Sequence, residues 1–133
     1  MIDIEREVYT RVARTLRAEF PGIDVAGTYV ASPSTLPHVS FEETDNYCPE
    51  QYIDNGDTQK FSVVTYTANV YSNKTTGRKQ ECRKILAKID DMMYAMNFVC
   101  VGHATVPNLE DSTICRMTAN YRAVTDGEHL YRR

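Results

Sequence analysis

Phe61-Ser62-Val63-Val64-Thr65-Tyr66-Thr67-Ala68-Asn69-Val70-Tyr71-Ser72 is the stretch on which the fold turns. Val63, Val64, Thr65, Tyr66, Thr67, Val70 and Tyr71 are β-branched or aromatic, side chains that suit a pleated, packed surface. The segment therefore reads as the clearest strand of the chain and as a central one. After it, Lys74-Thr75-Thr76-Gly77 leads into a helix in which Cys82, Ile85, Leu86, Ile89, Met92, Met93 and Met96 project within about 120° of one another at 100° per residue. Methionines at that spacing read as core filling rather than as a cofactor box. Asn97 ends the helix, and Phe98-Val99-Cys100-Val101 opens a strand running to about Val106. Pro107 to Ser112 is a turn. In the following strand Cys115, Met117, Ala119, Tyr121 and Ala123 alternate with Arg116, Thr118, Asn120 and Arg122, as expected of a sheet with one solvated side.

On the other flank, residues 45–60 hold Pro49 and Asn55-Gly56-Asp57 without sustained periodicity, and predict a long hairpin excursion. Loops of that length tend to be functional. Before it, His38 to Thr44 reads as a half-buried strand with Val39 and Phe41 on one face, and Ile23 to Val30 as a short strand interrupted by Ser32 to Pro37. From Asp3 to Phe20, Ile4, Val8, Val12 and Leu16 recur every four positions, so this is an amphipathic helix, with Asp3 available as an N-terminal cap and Pro21-Gly22 as a stop. The order is α-β-β-β-α-β-β. It predicts one α+β domain, a mainly antiparallel sheet of four to five strands with two helices on one face, over residues 1–124, followed by a polar tail at 125–133. Ile4, Val8, Val12, Leu16, Ile85, Leu86, Ile89, Met93, Val99, Met117 and Tyr121 are expected in one core.

With 133 residues, 42% hydrophobic and 25% charged, the chain suits a single soluble domain whose core needs no disulfide or metal staple. It has no apolar run of spanning length, and its charged opening Met1-Ile2-Asp3-Ile4-Glu5-Arg6 is unlike a secretory signal, so a cytoplasmic product is expected. Cys48, Cys82, Cys100 and Cys115 are scattered singly with no His at metal-ligand spacing, so neither a zinc site nor a bound cofactor is expected. Cys82, Cys100 and Cys115 read as small hydrophobes. His38 and Ser40 share a strand face, but no acidic orienter or oxyanion loop accompanies them, and no catalytic residue is expected. The glycines form neither a dinucleotide nor a P-loop fingerprint.

Charge is the informative feature. The net charge of −3 disfavours bulk phosphate neutralisation, yet Glu42, Glu43, Asp45, Glu50, Asp54 and Asp57 form an acidic stretch of −6 without a Lys or Arg. Lys74, Arg78, Lys79, Arg83, Lys84 and Lys88 crowd the start of the second helix, where cations oppose the macrodipole by about 0.3–1 kcal/mol each. A solvated face is the plain reading of these basic residues. The sharper one is a surface for an anionic partner, including the acidic stretch of a second copy. Identical subunits pairing head to tail in this way close into rings where the rotation permits.

Three segments carry a family resemblance: Tyr66-Thr67-Ala68-Asn69-Val70-Tyr71-Ser72-Asn73-Lys74, the helix start Thr76-Gly77-Arg78-Lys79-Gln80-Glu81-Cys82, and Met96-Asn97-Phe98. The strand opening Leu36-Pro37-His38-Val39-Ser40-Phe41 and the final strand Ile114 to Arg122 agree with them. Over nearly the whole chain this pattern resembles the small tail terminator and head-to-tail joining proteins of long-tailed bacteriophages and prophages. The resemblance implies a virion protein of the phage tail or neck, assembled in the host cytoplasm as a homohexameric ring. Such a ring ends tail tube polymerisation and joins the tail to the head-closure or connector protein. Double-stranded DNA passes through the lumen without specific binding, no membrane is involved, and there is no enzyme activity. The 45–60 stretch is longer than a minimal version of that fold needs, which marks it as a docking elaboration. Two other readings stay open: a head-closure or minor capsid component of the neck, and a nucleic-acid-binding α+β domain using Arg116, Arg122 and nearby tyrosines on an open sheet face.

Overall fold

The computed structural model describes residues 2–28, 36–48, 61–106 and 113–131. Helix α1 (Glu5–Glu19) is followed by β1 (Asp24–Ala26), β2 (His38–Tyr47) and β3 (Ser62–Ser72), then helix α2 (Arg78–Ala95), β4 (Val99–Val106), β5 (Cys115–Thr125) and β6 (Leu130–Tyr131). The strands form one sheet in the order β1-β2-β3-β5-β4, and β6 pairs with β5. Only β1 and β2 run parallel; the other pairs are antiparallel. This is an α+β domain. The strand read as central occupies the middle of the order, paired along its length with β2 and β5.

Both helices lie on one face of the sheet. Their stripes, Val8, Val12 and Leu16 from α1 and Cys82, Ile85, Leu86, Ile89 and Met93 from α2, meet Val39 and Phe41 of β2, Val64, Tyr66, Ala68 and Val70 of β3, and Met117, Ala119, Tyr121 and Ala123 of β5. At the centre Tyr66 stacks on Phe41 at 5.4 Å between ring centroids and receives the edge of Phe98 at the same separation. Offset and edge-on pairs of this kind add about 0.5–1.5 kcal/mol beyond their buried area. Every residue expected in the core is buried there except Val99, which is half-buried. Phe98 takes the inward position instead, and Val99 pairs with Arg122 on the opposite face.

The helix ends follow local chemistry. Ile4 is the N-cap of α1, and the Asp3 carboxylate accepts the Glu5 N–H at 3.1 Å. Gly22, at φ +87°, turns the chain after α1, a conformation that costs glycine little. Gly77, at φ +79°, does the same before α2.

Three boundaries depart from the sequence reading, the first being the strand expected over Ile23 to Val30, which is confined to Asp24–Ala26 among the described residues. Asp45, Asn46 and Tyr47 belong to β2 rather than to an excursion, because a bulge between Glu43 and Asp45 resets the register. The N-terminus of α1 then holds the strand: Glu43 N–H donates to Glu5 Oε2 at 2.8 Å, and Asn46 Nδ2 donates to Ile2 O at 2.7 Å. The rest of the 45–60 stretch, from Pro49, and the 107–112 turn lie outside the described residues. The polar tail turns at Asp126–His129, where the Asp126 carboxylate accepts the Glu128 and His129 N–H groups, and returns to pair with β5 as β6.

Candidate functional site

The β2–β3 register sets where the charges fall. Glu42, Glu43 and Asp45 sit opposite Thr67, Tyr66 and Thr65, from the middle of β3 toward its start, whereas Lys74 and the entrance of α2 follow Ser72 at its other end. Thr65 to Ser72 spans about 23 Å of strand. Among the described residues the acidic groups thus run from the middle of the sheet toward one end, and the basic groups lie beyond the other end of β3. Glu50, Asp54 and Asp57 are outside the described residues.

The acidic residues are not equivalent. Glu42 is half-buried on the face away from the helices, and Asp45 is exposed. Glu43 points toward the helices and accepts hydrogen bonds from Tyr66 Oη at 3.1 Å and Asn46 Nδ2 at 3.3 Å. Burial raises its pKa, with repulsion from Glu5 and Asp3 adding and the two hydrogen bonds opposing. Glu43 is therefore a strut between β2 and α1 more than a surface charge.

The basic residues divide between two flanks of α2. Lys74 and Lys84 line a hollow with Phe20, Gln80 and Glu81, on the side where Lys88 pairs with Glu19 of α1 at 3.5 Å. Arg83 lines a second hollow toward β4 with Leu86, Ala87, Asp90, His103 and Met117. Lys74, Lys79, Arg83 and Lys84 are exposed and Arg78 is half-buried. Glu81 is the acidic residue of the first turn; it accepts the Ser72 hydroxyl at 2.6 Å and offsets part of the cationic load on the dipole.

The face away from the helices has a polar, cross-linked middle flanked by the buried Val63, Val124 and Tyr71. The Thr44 hydroxyl lies 2.9 Å from that of Thr67, which donates to Asn120 Oδ1 at 2.7 Å. Arg116 donates through Nη2 to Asn69 Oδ1 at 2.9 Å and lies over the buried Tyr71 ring, so it is committed to the sheet. Arg122 is exposed. One row away, Tyr47, Val63, Val124 and Tyr131 face one another across the strands, and the two tyrosines at the ends of the row are nearly half-exposed. Asp45 lies in the same row as Arg122 but two strands away, with Thr65 between them.

Two side-chain constellations escape sequence reasoning. The first gives His38 an acidic orienter: its Nδ1 lies 2.9 Å from Asp24 Oδ2, and its Nε2 3.1 Å from Ser40 Oγ. The parallel pairing of Asp24 with His38 brings the carboxylate in. The order Asp-His-Ser matches a nucleophilic triad, but Ser40 is fully buried and offers no surface for attack on a substrate. The arrangement satisfies a buried imidazole and fastens β1 to β2.

The second constellation joins α2 to β4. His103 Nε2 lies 2.9 Å and 3.0 Å from the two carboxylate oxygens of Asp90, and Cys100 Sγ lies 3.5 Å from the same nitrogen. Tyr121 Oη donates to Asp90 Oδ1 from below. Cys100 was expected as a strand hydrophobe, yet it is exposed, because β4 is the edge strand and most of its length is uncovered. Burial is nonetheless the larger of the effects that raise its thiol pKa, so it is not an activated nucleophile. Cys82 does behave as a hydrophobe, with burial pushing its thiol up to about 12. Among the described residues, Asp90, Cys100 and His103 are the group whose donor atoms could hold a metal, all lying within 4.8 Å of one another.

A comparison with protein-family models finds no match, and none of the curated proteins matches the chain. No described helix is long and apolar enough to cross a membrane.

Proposed function

We propose that this chain is a structural ring protein of the phage tail end, which stops tail tube growth and joins the tail to the head connector. The observation that carries the reading is the separation of the described acidic residues, from the middle of β3 toward its start, from the basic residues beyond its far end. A subunit charged in this way attracts the unlike end of the next copy, and a heterologous contact repeated around a closed rotation gives a ring. Two further features support it. The half-exposed Tyr47 and Tyr131 at the acidic end are of the residue type enriched at protein interfaces. The one Asp-His-Ser arrangement among the described residues has its serine sealed from substrate. In a hexamer, acidic stretches facing the lumen would keep passing DNA from adhering. The nucleic-acid reading gains less support, since Arg116 is engaged by Asn69.

The test is charge reversal of Lys79, Arg83 and Lys84 to Glu. The wild-type chain, mixed with tail tube protein, assembles rings measurable by native mass and electron microscopy. The triple variant stays monomeric and leaves tubes uncapped. An unchanged mass and elution volume for the variant overturns the head-to-tail contact, and binding of the wild type to portal-side adaptors alone moves the protein to head closure.

A further inference from the structure

We infer that Asp90, Cys100 and His103 form a binding site for a late first-row divalent metal ion, Zn2+ foremost, that fastens helix α2 to the edge strand β4.

The donor set is the first argument. A thiolate, an imidazole and a carboxylate are all zinc ligands, and thiolate with imidazole selects zinc and its neighbours over Mg2+ or Ca2+, which favour oxygen. The thiolate and the carboxylate together supply two negative charges, which match a divalent ion. The spacing is the second. Ordinary bond lengths and tetrahedral angles place a sulfur and a nitrogen ligand of zinc about 3.6 Å apart, and a nitrogen and an oxygen ligand about 3.4 Å apart. Cys100 Sγ and His103 Nε2 are 3.5 Å apart and His103 Nε2 is 2.9–3.0 Å from the Asp90 oxygens, so these two edges need to spread by only a few tenths of an ångström, and all three donor atoms already lie within 4.8 Å of one another.

The backbone supplies the third argument. Residues three apart on a regular strand point to opposite faces, so Cys100 and His103 would not meet. The register shift between Cys100 and Gly102 inserts the extra residue that brings both side chains to the helix face, Cys100 opposite Tyr121 and His103 opposite Ala119. Asp90 then arrives from α2, already oriented by the hydroxyl of Tyr121, a side chain only 1% exposed. A buried donor holding a ligating carboxylate is the outer-shell arrangement that fixes ligand direction in metal sites. Three protein ligands leave one coordination position for water or for a group from another chain, and Asp90 and His103 border an open hollow with Arg83. On binding, the Cys100 thiol proton passes to solvent and the metal takes its place on sulfur.

Cobalt(II) tests this, because it substitutes for zinc and its thiolate bond absorbs light. Titrated into the metal-free full-length chain, Co2+ should give a thiolate-to-cobalt charge-transfer band that saturates at one equivalent and is displaced by Zn2+. Cys100→Ser should abolish the band. His103→Ala, at an exposed position, should weaken binding while leaving the circular dichroism of the fold intact. Tyr121→Phe should lower affinity about 10–100-fold by releasing Asp90. The proposal fails if the wild type gives no such band, if the band survives Cys100→Ser, or if folded His103→Ala binds Co2+ as tightly as the wild type; in that event Asp90 and His103 are an ordinary exposed ion pair.

Discussion

Leu86 and Ile89 are neighbours on the inward face of α2, yet truncating them should cost different amounts. Leu86 is 3% exposed and forms part of the wall of the hollow that Arg83, Asp90, His103 and Met117 surround; Ile89 is fully sealed. Changing either to Ala removes three carbons, worth about 2.4 kcal/mol at roughly 0.8 kcal/mol each. At Leu86 the void opens onto the hollow, where water and the flexible Met117 and Arg83 side chains fill it, so the cost stays at about 2–3 kcal/mol. At Ile89 no such relief exists. The cavity term of roughly 24 cal/mol per Å3 carries the loss toward about 4 kcal/mol, within the usual range of about 2–5. Urea unfolding of the two variants measures both values, with unchanged slopes required for the comparison. Runs at two protein concentrations separate folding from any contribution of assembly. Equal losses, or a larger loss at Leu86, would refute the role given to the hollow. Losses near zero at both would mean that this helix face is not core at all.

Glu43 and Gly77 give two further expectations. Burial raises the Glu43 pKa above its ordinary value of 4.5, so the folded state holds the proton more tightly than the unfolded chain. Its contribution to stability is complete below pH 4.5 and is lost as pH rises through the folded-state value. Glu43→Gln, which keeps an acceptor for Tyr66, should remove that slope from a plot of unfolding free energy against pH; a slope unchanged in the variant would assign it to another group. Gly77→Ala meets only Gln80 Oε1, at 3.5 Å, but must adopt φ +79°. The left-handed conformation alone should cost about 1–2 kcal/mol, read as a lower urea midpoint, and a neutral result would show that the entry to α2 rearranges.

What the sequence made legible was periodicity. The four-residue recurrence of Ile4, Val8, Val12 and Leu16, the arc of Cys82 to Met96, and the alternation of Cys115 to Ala123 all correspond to buried faces, because each is a repeat of the backbone's own geometry. The polar run Glu42 to Tyr47 has no such repeat and read as loop beyond Thr44. It is strand because Glu5 and Ile2, distant in sequence, satisfy Glu43 and Asn46. Val99 shows the converse error: an apolar residue in an apolar run, turned outward because Phe98 already fills the inward place. The charge separation was legible as composition, but its direction along β3 required the pairing register.

The two side-chain constellations mark where pattern reading stops. Asp24 reaches His38 only because β1 lies parallel to β2, and a three-residue strand carries too little periodicity to announce its partner. Cys100 and His103 are a sharper case, since strand alternation argues against their meeting. The separation of three residues is the expected signature of opposite faces, and one bulge inverts it. Gly102, within that irregularity, has nothing within 4 Å of where a Cβ would stand, so neither packing nor a positive φ demands glycine there. The bulge is better explained by what it gains: it places an imidazole against Asp90, which Tyr121 already holds. An edge strand secured to a helix through polar side chains can remain exposed on its outer rim.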